Sequence, residues 1–308
     1  MLRVNYAIKK NKLVGTYSVD VNDIPSILIC SMKFDCIIGN PPYQRKVGPN
    51  NTEPLWHIFV DKSITALTEG GYLCYVHPSG WRDVTGRYDK TKNLIISKDI
   101  QYLETHDKSD GMKTFGATTS YDWYVLKNSP SSKKTNVKFQ DGSSKSIDLS
   151  VLPFIPNGSY DKIMSLLAKK GEETVDILYD RTAYGTDKKN ISKEKVGDFK
   201  YPCAYIVKTD NTLELVYSNE KKGHFNTAKL IWGNGGCGMG SFVDTRGEYG
   251  MTQWCYAIVD EPKNLNNIKK AFDSKEFRNL MKQCADSSGN INRKVISTFR
   301  KDFYKEFI

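Results

Sequence analysis

The sequence predicts an α/β protein in two parts, a partial doubly wound sheet followed by a mixed α+β domain. Three observations point there. Strand-like and helix-like patterns alternate through roughly the first 130 residues, as they do where helices cross between parallel strands. A polar stretch, Asn128-Ser129-Pro130-Ser131-Ser132-Lys133-Lys134, then breaks the pattern and is a natural exit from a domain. From about residue 150 the texture changes to short strand candidates separated by Gly and Asn turns. The 308 residues suffice for two cores, expected at 1–130 and 150–308.

Taken in order, Phe34-Asp35-Cys36-Ile37-Ile38-Gly39 is a short apolar strand ending in Gly. Residues 54–67 place Leu55, Ile58, Phe59, Ile64 and Leu67 at helical spacing, and Thr68-Glu69-Gly70-Gly71 is expected to stop that helix. Residues 72–76 read as a strand, 90–97 as a helix, 100–104 as a strand and 122–126 as an aromatic-rich strand. A strand at 136–139 and a turn at Asp141-Gly142 follow. Two helical patterns, 265–284 and 295–307, close the chain.

Composition narrows the class. Hydrophobic residues make up 39% and charged residues 26%, as in globular proteins. No apolar run approaches the ~20 residues of a membrane helix; the longest, 24–30, is strand-sized. With no signal pattern at the N-terminus, a cytoplasmic protein is expected. The seven cysteines are odd in number and lack C-x-x-C spacing, so a reduced, mostly buried set is expected, and no metal site. A net charge of +10 suits a phosphate backbone, though a solvated lysine-rich surface gives the same number.

The chemistry concentrates in Asn40-Pro41-Pro42-Tyr43, directly after the first apolar strand. Loops at the C-terminal ends of strands are where open α/β sheets build active sites. The exocyclic amino group of adenine is a poor nucleophile, because its lone pair is delocalised into the ring. Acceptors aimed at its hydrogens hold it and favour a tetrahedral nitrogen. The Asn40 side-chain oxygen and the Pro41 carbonyl can supply two. The paired prolines restrict the backbone, and Tyr43 offers a face on which an extruded base stacks, for ~1–3 kcal/mol. A plain Pro-Pro turn, with Asn as turn former, is the alternative on these four residues alone.

Residues 32–127 resemble the catalytic half of the N6-adenine-specific DNA methyltransferases of restriction-modification systems. Three blocks carry the resemblance in order: residues 33–44; Glu69-Gly70-Gly71-Tyr72-Leu73-Cys74-Tyr75-Val76-His77-Pro78-Ser79-Gly80-Trp81; and Phe115-Gly116-Ala117-Thr118-Thr119-Ser120-Tyr121-Asp122-Trp123-Tyr124. The resemblance implies a Rossmann-like methyltransferase sheet, S-adenosylmethionine as methyl donor, base flipping from double-stranded DNA, and Asn40, Pro41, Pro42 and Tyr43 as the catalytic loop. It would make Phe115 the wall opposite Tyr43, with an ordinary hairpin core position the equal alternative. Ser79 and Trp81 would line the pocket mouth, although core packing suits Trp81 better. Arg82, Arg87 and Lys90 would meet phosphates or form a solvated basic face.

The second half is similar, more loosely, to target-recognition domains, through Lys229-Leu230-Ile231-Trp232-Gly233-Asn234-Gly235-Gly236 and Gly250-Met251-Thr252-Gln253-Trp254. Asn234, Gln253 and Arg246 carry groups suited to base edges. The glycine run 233–240 lacks the Lys-Ser/Thr ending of a phosphate loop.

One departure matters. The family's cofactor site uses an aromatic-x-Gly-x-Gly loop and an acidic ribose anchor well before the Asn-Pro-Pro-Tyr loop. Only 39 residues precede Asn40, with no G-x-G among them. Asp20 remains as the cofactor-binding candidate. A split enzyme completed by a partner subunit or homodimer is therefore expected, with a catalytically inactive DNA-binding subunit as the alternative. Related loops also modify glutamine amides and RNA bases; the large basic and aromatic second half argues for nucleic acid. No nuclease motif stands out.

Overall fold

The computed structural model describes residues 2–4, 7–9, 12, 13, 17–19, 33–49, 51–84, 86–180, 188–235, 240–284 and 292–308. Two units divide the chain, Met1–Ser159 and Tyr160–Ile308. Asp20, the apolar run 24–30 and glycines 236, 238 and those beside them lie outside the described residues.

The first unit contains β1 (Leu2–Val4), β2 (Ala7–Lys9), β3 (Lys12–Leu13), β4 (Tyr17–Val19), β5 (Phe34–Gly39), β6 (Gln44–Lys46), β7 (Thr52–Pro54), α1 (Trp56–Ala66), β8 (Leu67–Pro78), α2 (Asp89–Ile96), β9 (Lys98–His106), α3 (Lys108–Phe115), β10 (Tyr121–Pro130), β11 (Thr135–Lys138) and β12 (Ser144–Ile147). Eight strands form one mixed sheet in the order β12-β11-β9-β10-β8-β5-β2-β3. β5 runs parallel to β8, and β11 parallel to β9. β10 lies antiparallel between β8 and β9. The C-terminal ends of β5, β8 and β9 therefore share one end of the sheet, where β10 begins.

Local sequence explains these elements. Apolar, β-branched residues extend β5, and Pro41 and Pro42 cannot donate to the ladder, so it stops at Gly39. α1 buries Trp56, Phe59, Val60 and Ile64 on one stripe. It ends at Ala66, before the glycines expected to stop it. Gly70 and Gly71 instead lie within β8. A Cβ at Gly71 would meet the Phe34 and Asp35 carbonyl oxygens at 3.0 and 3.1 Å, so glycine permits the close strand approach where the β5–β8 register shifts. The polar stretch 128–134 is likewise not a domain exit: β10 runs to Pro130 and β11 returns to the sheet.

The two faces of this sheet differ. On one, Ile37, Leu73, Tyr75, His77, Tyr124, Leu126, Ile100 and Leu103 are buried, with α1 against β8 and α2 against β9. On the other, Ile38, Tyr72 and Trp123 are 56%, 37% and 37% exposed. Parallel strand pairs are normally covered on both faces.

A buried ion pair closes the covered face at its C-terminal end. Arg82 Nε donates to Asp122 Oδ2 at 2.8 Å, Trp81 Nε1 donates to the same oxygen at 2.9 Å, and the guanidinium also reaches the Ile155 carbonyl and Asn157 Oδ1. Burial pushes the Asp122 carboxyl up, against the pull of Arg82 and Trp81.

The second unit contains α4 (Tyr160–Leu166), β13 (Asp176–Leu178), β14 (Ile191–Ser192), β15 (Tyr201–Val207), β16 (Leu213–Ser218), β17 (Lys229–Gly233), β18 (Ser241–Asp244), β19 (Gly250–Met251), β20 (Cys255–Val259), α5 (Pro262–Asp273), α6 (Lys275–Gln283) and α7 (Arg293–Ile296). Two four-stranded sheets, β13-β20-β17-β18 and β14-β16-β15-β19, share a core that includes Val207, Ile231, Met251 and Ala257. The single helix expected over 265–284 is two helices. Ser274 leaves helical backbone (ψ 141°) and caps α6 by accepting from the Phe277 amide. The helix expected over 295–307 is also interrupted: after α7, Phe299 and Arg300 bridge to Leu167 and Thr174, and a 3₁₀ turn covers Phe303–Phe307. The apolar spacing is kept, since Val295, Ile296, Phe299 and Phe303 are all buried. Among the described residues no helix is long and apolar enough to cross a membrane.

Breaking a buried pair leaves a charge stranded, whereas an exposed pair contributes little. Arg82→Met is expected to lose about 3–5 kcal/mol of stability. Arg45→Met, which breaks the exposed Arg45–Glu53 pair at 2.7 Å, should lose less than about 1 kcal/mol. Chemical denaturation measures both; equal losses would contradict the account.

Candidate active site

Three segments distant in sequence meet at the C-terminal end of the first sheet. Asn40–Tyr43 follows β5, Ser79–Arg82 follows β8, and α3 with its return loop joins β9 to β10. Asn40 is exposed, Pro41 buried, and Pro42 and Tyr43 half-buried. The Tyr43 carbonyl accepts from the Leu55 amide at 2.9 Å, which anchors the end of the loop to the start of α1. Between these points β6 and β7 form a separate two-stranded ribbon.

Phe115 closes α3 and is 37% exposed. It is a helix C-terminal residue, not part of the hairpin strand, because Gly116 (φ +65°) ends α3 in left-handed backbone and β10 starts only at Tyr121. Its ring stands 6.3 Å from Tyr43, edge-on at 82°. A flat base can therefore stack on one of the two rings while meeting the edge of the other; a parallel sandwich between both is geometrically unavailable. Behind Phe115 lies Tyr121, again edge-on at 4.8 Å, and His106 is stacked flat on Tyr121 at 4.4 Å.

The electrostatics here are neutral at the rings. Burial, with Tyr121 close by, pushes the Tyr43 phenol up to about 12. Burial and the bond to Asp110 do the same for Tyr121, also to about 12. Both remain protonated at physiological pH. The Tyr43 hydroxyl is buried without a hydrogen-bond partner among the described residues. Such orphans are uncommon and mark functional sites or missing solvent.

The other expected residues separate by face. Ser79 is buried at the same end, its amide donating to the Ser120 carbonyl at 3.1 Å. Trp81 is 1% exposed with its N–H committed to Asp122, so it belongs to the core of the covered face, not to a pocket mouth. Arg82 is equally removed from phosphates: it is 4% exposed and its guanidinium is fully engaged. Arg87 lies 5.4 Å from the Tyr88 ring, and Lys90 is exposed.

In the second unit, Asn234 and Gln253 are half-buried and come together at one end of the β17–β20 pair, where the Asn234 amide donates to the Trp254 carbonyl at 2.8 Å. Exposed Trp254 stands beside them. Arg246 is not part of this group. It lies beyond Asp244, at the Lys229 end of the same strands, about 13 Å away at the usual rise per residue. That end is fixed by a buried pair: Lys229 Nζ donates to Asp244 Oδ2 at 2.6 Å and to the His224 carbonyl at 2.8 Å.

Sequence reasoning passed over His106, Asp110, Tyr121 and the Arg82–Asp122 pair. Only a trace of them was available, in the aromatic cluster around residue 121; the rest depends on strand register.

With this geometry in place, the similarities to known proteins can be set beside it. Residues 5–110 match the model of the Eco57I restriction-modification methylase family. The modification methylase CviBIII of Paramecium bursaria Chlorella virus NC1A is 35% identical over 133 residues, covering 40% of this chain and 34% of that protein. The chain thus spans about a third of that relative's length. Among solved structures, the Type IIL restriction-modification enzyme MmeI in complex with DNA aligns over 86% of this chain and 45% of its own at a TM-score of 0.46 and 11% identity. The Type IIG restriction endonuclease BpuSI covers 89% and 48% at 0.38 and 9%. Both structural likenesses are weak.

The resemblance to restriction-modification methylases implies S-adenosylmethionine, and among the described residues no glycine-rich loop for it follows a parallel strand. On the side of β5 where a parallel strand with a glycine-rich loop would be needed stands β2, three residues long and antiparallel. Asp20 falls outside the described residues.

Beneath the site, His77 is fully buried, stacked on Trp56 at 4.7 Å, and 3.1 Å from the Tyr124 hydroxyl. Burial pushes it down from its ordinary 6.5 to about 4. A base whose folded pKa lies below its unfolded value is neutral in the fold, and the unfolded state binds the extra proton. Stability from this group is complete above about pH 6.5 and lost as pH falls towards about 4, by about 3 kcal/mol in all. Denaturation of wild type and His77→Gln across pH 4–7 should show a shallower acid slope in the variant; identical slopes would refute the buried neutral histidine.

Proposed function

We propose that this chain methylates adenine at N6 in double-stranded DNA, with S-adenosylmethionine as methyl donor and the base extruded against the aromatic corner formed by Tyr43 and Phe115. The observation that supports this most is the convergence of the Asn40–Tyr43 loop and Phe115, 75 residues apart in sequence, at the C-terminal end of one sheet. Asn40 and the Pro41 carbonyl accept the two amino hydrogens. Tyr43 stacks on the base, and its orphaned hydroxyl makes no internal bond that stacking would break. The exposed Trp254 with Asn234 and Gln253 gives the second unit groups for reading base edges. A net charge of +10 favours the phosphate backbone.

We propose that a partner subunit or second copy contributes to holding the methyl donor, docking at the sheet face where Ile38, Tyr72 and Trp123 are exposed among the described residues. The exposure of these apolar side chains among the described residues and the short antiparallel strand beside β5 support this. The setting proposed is cytoplasmic.

Methyl transfer from radiolabelled S-adenosylmethionine to unmethylated DNA tests the reading. Label should appear as N6-methyladenine and vanish with Asn40→Ala. Tyr43→Phe should stay close to wild type. Tyr43→Ala should lose the stacking contribution, ~1–3 kcal/mol, or about 5- to 150-fold in rate. Label on cytosine, RNA or protein, or indifference to Asn40→Ala, would overturn the proposal. No label from the chain alone with DNA binding retained would mean a split enzyme awaiting its partner or a catalytically inactive DNA-binding subunit, and label appearing on addition of the partner separates the two.

A further inference from the structure

We infer that Asp110, Tyr121 and His106 form a clamp that positions Phe115 against Tyr43. The inference rests on the reading of the Tyr43–Phe115 pair as a wall of the base pocket. Phe115 ends an eight-residue helix, α3, far too short to persist alone in water. The wall it forms is thus only as well placed as the contacts that hold α3.

Those contacts converge on one atom. Tyr121 Oη donates to Asp110 Oδ2 at 2.6 Å, and His106 Nδ1 lies 2.9 Å from the same oxygen. Tyr121 Oη also stands 3.4 Å from Thr114 Oγ1, one residue before Phe115. The Tyr121 hydroxyl bond holds the Asp110 carboxyl below its usual range, so the acceptor is charged and the bonds to it are of the stronger, charge-assisted kind. Tyr121 thus does two jobs: its hydroxyl holds the helix, and its ring edge supports the Phe115 ring at 4.8 Å. His106, flat on Tyr121, keeps that ring from turning. His106 is in turn 3.5 Å from Glu104, which accepts from Tyr102 and Lys138.

Two further features make the arrangement rigid. Asp107 caps α3 by accepting from the Asp110 amide at 3.0 Å, which fixes the residue carrying the clamp. At Gly111 a Cβ would fall 1.9 Å from the Thr119 carbonyl oxygen, so α3 lies directly on its own return loop. The helix has little room to slide. Asp110, Tyr121 and His106 are therefore positioning residues for the base wall and do not touch the base.

The test places 4-fluorophenylalanine at position 115 and reads its ¹⁹F resonance, which needs no turnover. In the otherwise wild-type chain and in Asp110→Asn, which keeps an oxygen for Tyr121, one sharp line is expected. In Asp110→Ala and Tyr121→Phe the line should broaden or split, with thermal unfolding showing that both remain folded. Methyl transfer should fall about 10- to 100-fold in those two variants, the scale of a 1 Å misplacement, and recover in Asp110→Asn. An unchanged resonance in Asp110→Ala and Tyr121→Phe overturns the clamp. A broadened resonance with methyl transfer undiminished leaves the clamp standing and overturns the base-pocket reading instead.

Discussion

The buried guanidinium of Arg82 is the contact on which the C-terminal end of the first sheet depends. It sits one residue after Trp81 in the turn that follows β8, yet it binds the start of β10 through Asp122 and the late segment through Ile155 and Asn157. Three pieces of chain far apart in sequence are thereby held to one point. A lysine could not replace it, because the three directions are those of a planar fork. Ser79, three residues earlier, ties the same turn to Ser120. The loop between α3 and β10 is therefore fixed at both ends, by the Asp110 contacts at one and by this turn at the other.

That anchoring has a geometric consequence. Successive side chains in a strand alternate faces, so neighbours in sequence serve different purposes. Asp122 points to the helix-covered face and joins the ion pair; Tyr121, beside it, points to the open face and supports Phe115. His77 and Pro78 divide in the same manner. The chain separates its buried charges from its aromatic pocket by a single residue of register. A slip of one residue in β10 would exchange them and bury Tyr121 against α1, which explains why the register is pinned on both sides of β10.

Much of this was legible in the sequence. The strand over residues 34–39, the first helix and the position of the Asn-Pro-Pro-Tyr loop follow from local pattern, because apolar periodicity and proline chemistry act over a few residues. Gly70 and Gly71 misled, since a glycine that ends a helix and one that permits close strand approach look alike until a partner strand is known. Arg82 suggested phosphate contact or a solvated face, whereas core packing already suited Trp81 better; that both join the covered face is decided by pairing forty residues away. The two C-terminal helix patterns were right in their apolar spacing and wrong in continuity. Ser274 is unremarkable in composition, and its capping role appears only with the Phe277 amide above it. Pairing of His106 with Tyr121 is a long-range event with no sequence mark at all.

The protonation states bear on what the pocket is able to hold. Tyr43 and Tyr121 keep their protons to about 12, and the carboxylate nearest them is engaged by Tyr121 and His106. A phosphate or a carboxylate reaching Tyr43, Phe115 and Tyr121 would find aromatic faces and no cation among these three side chains, and desolvating it would cost several kcal/mol. A neutral, flat heterocycle has no such penalty. On the proposed reading it brings stacking area for Tyr43 or Phe115 and donors for the acceptors at Asn40 and Pro41. The edge-on geometry of the two rings further favours one flat ring over an elongated chain. On the proposed reading, the neutral aromatic lining suits a nucleobase better than the charged backbone that carries it.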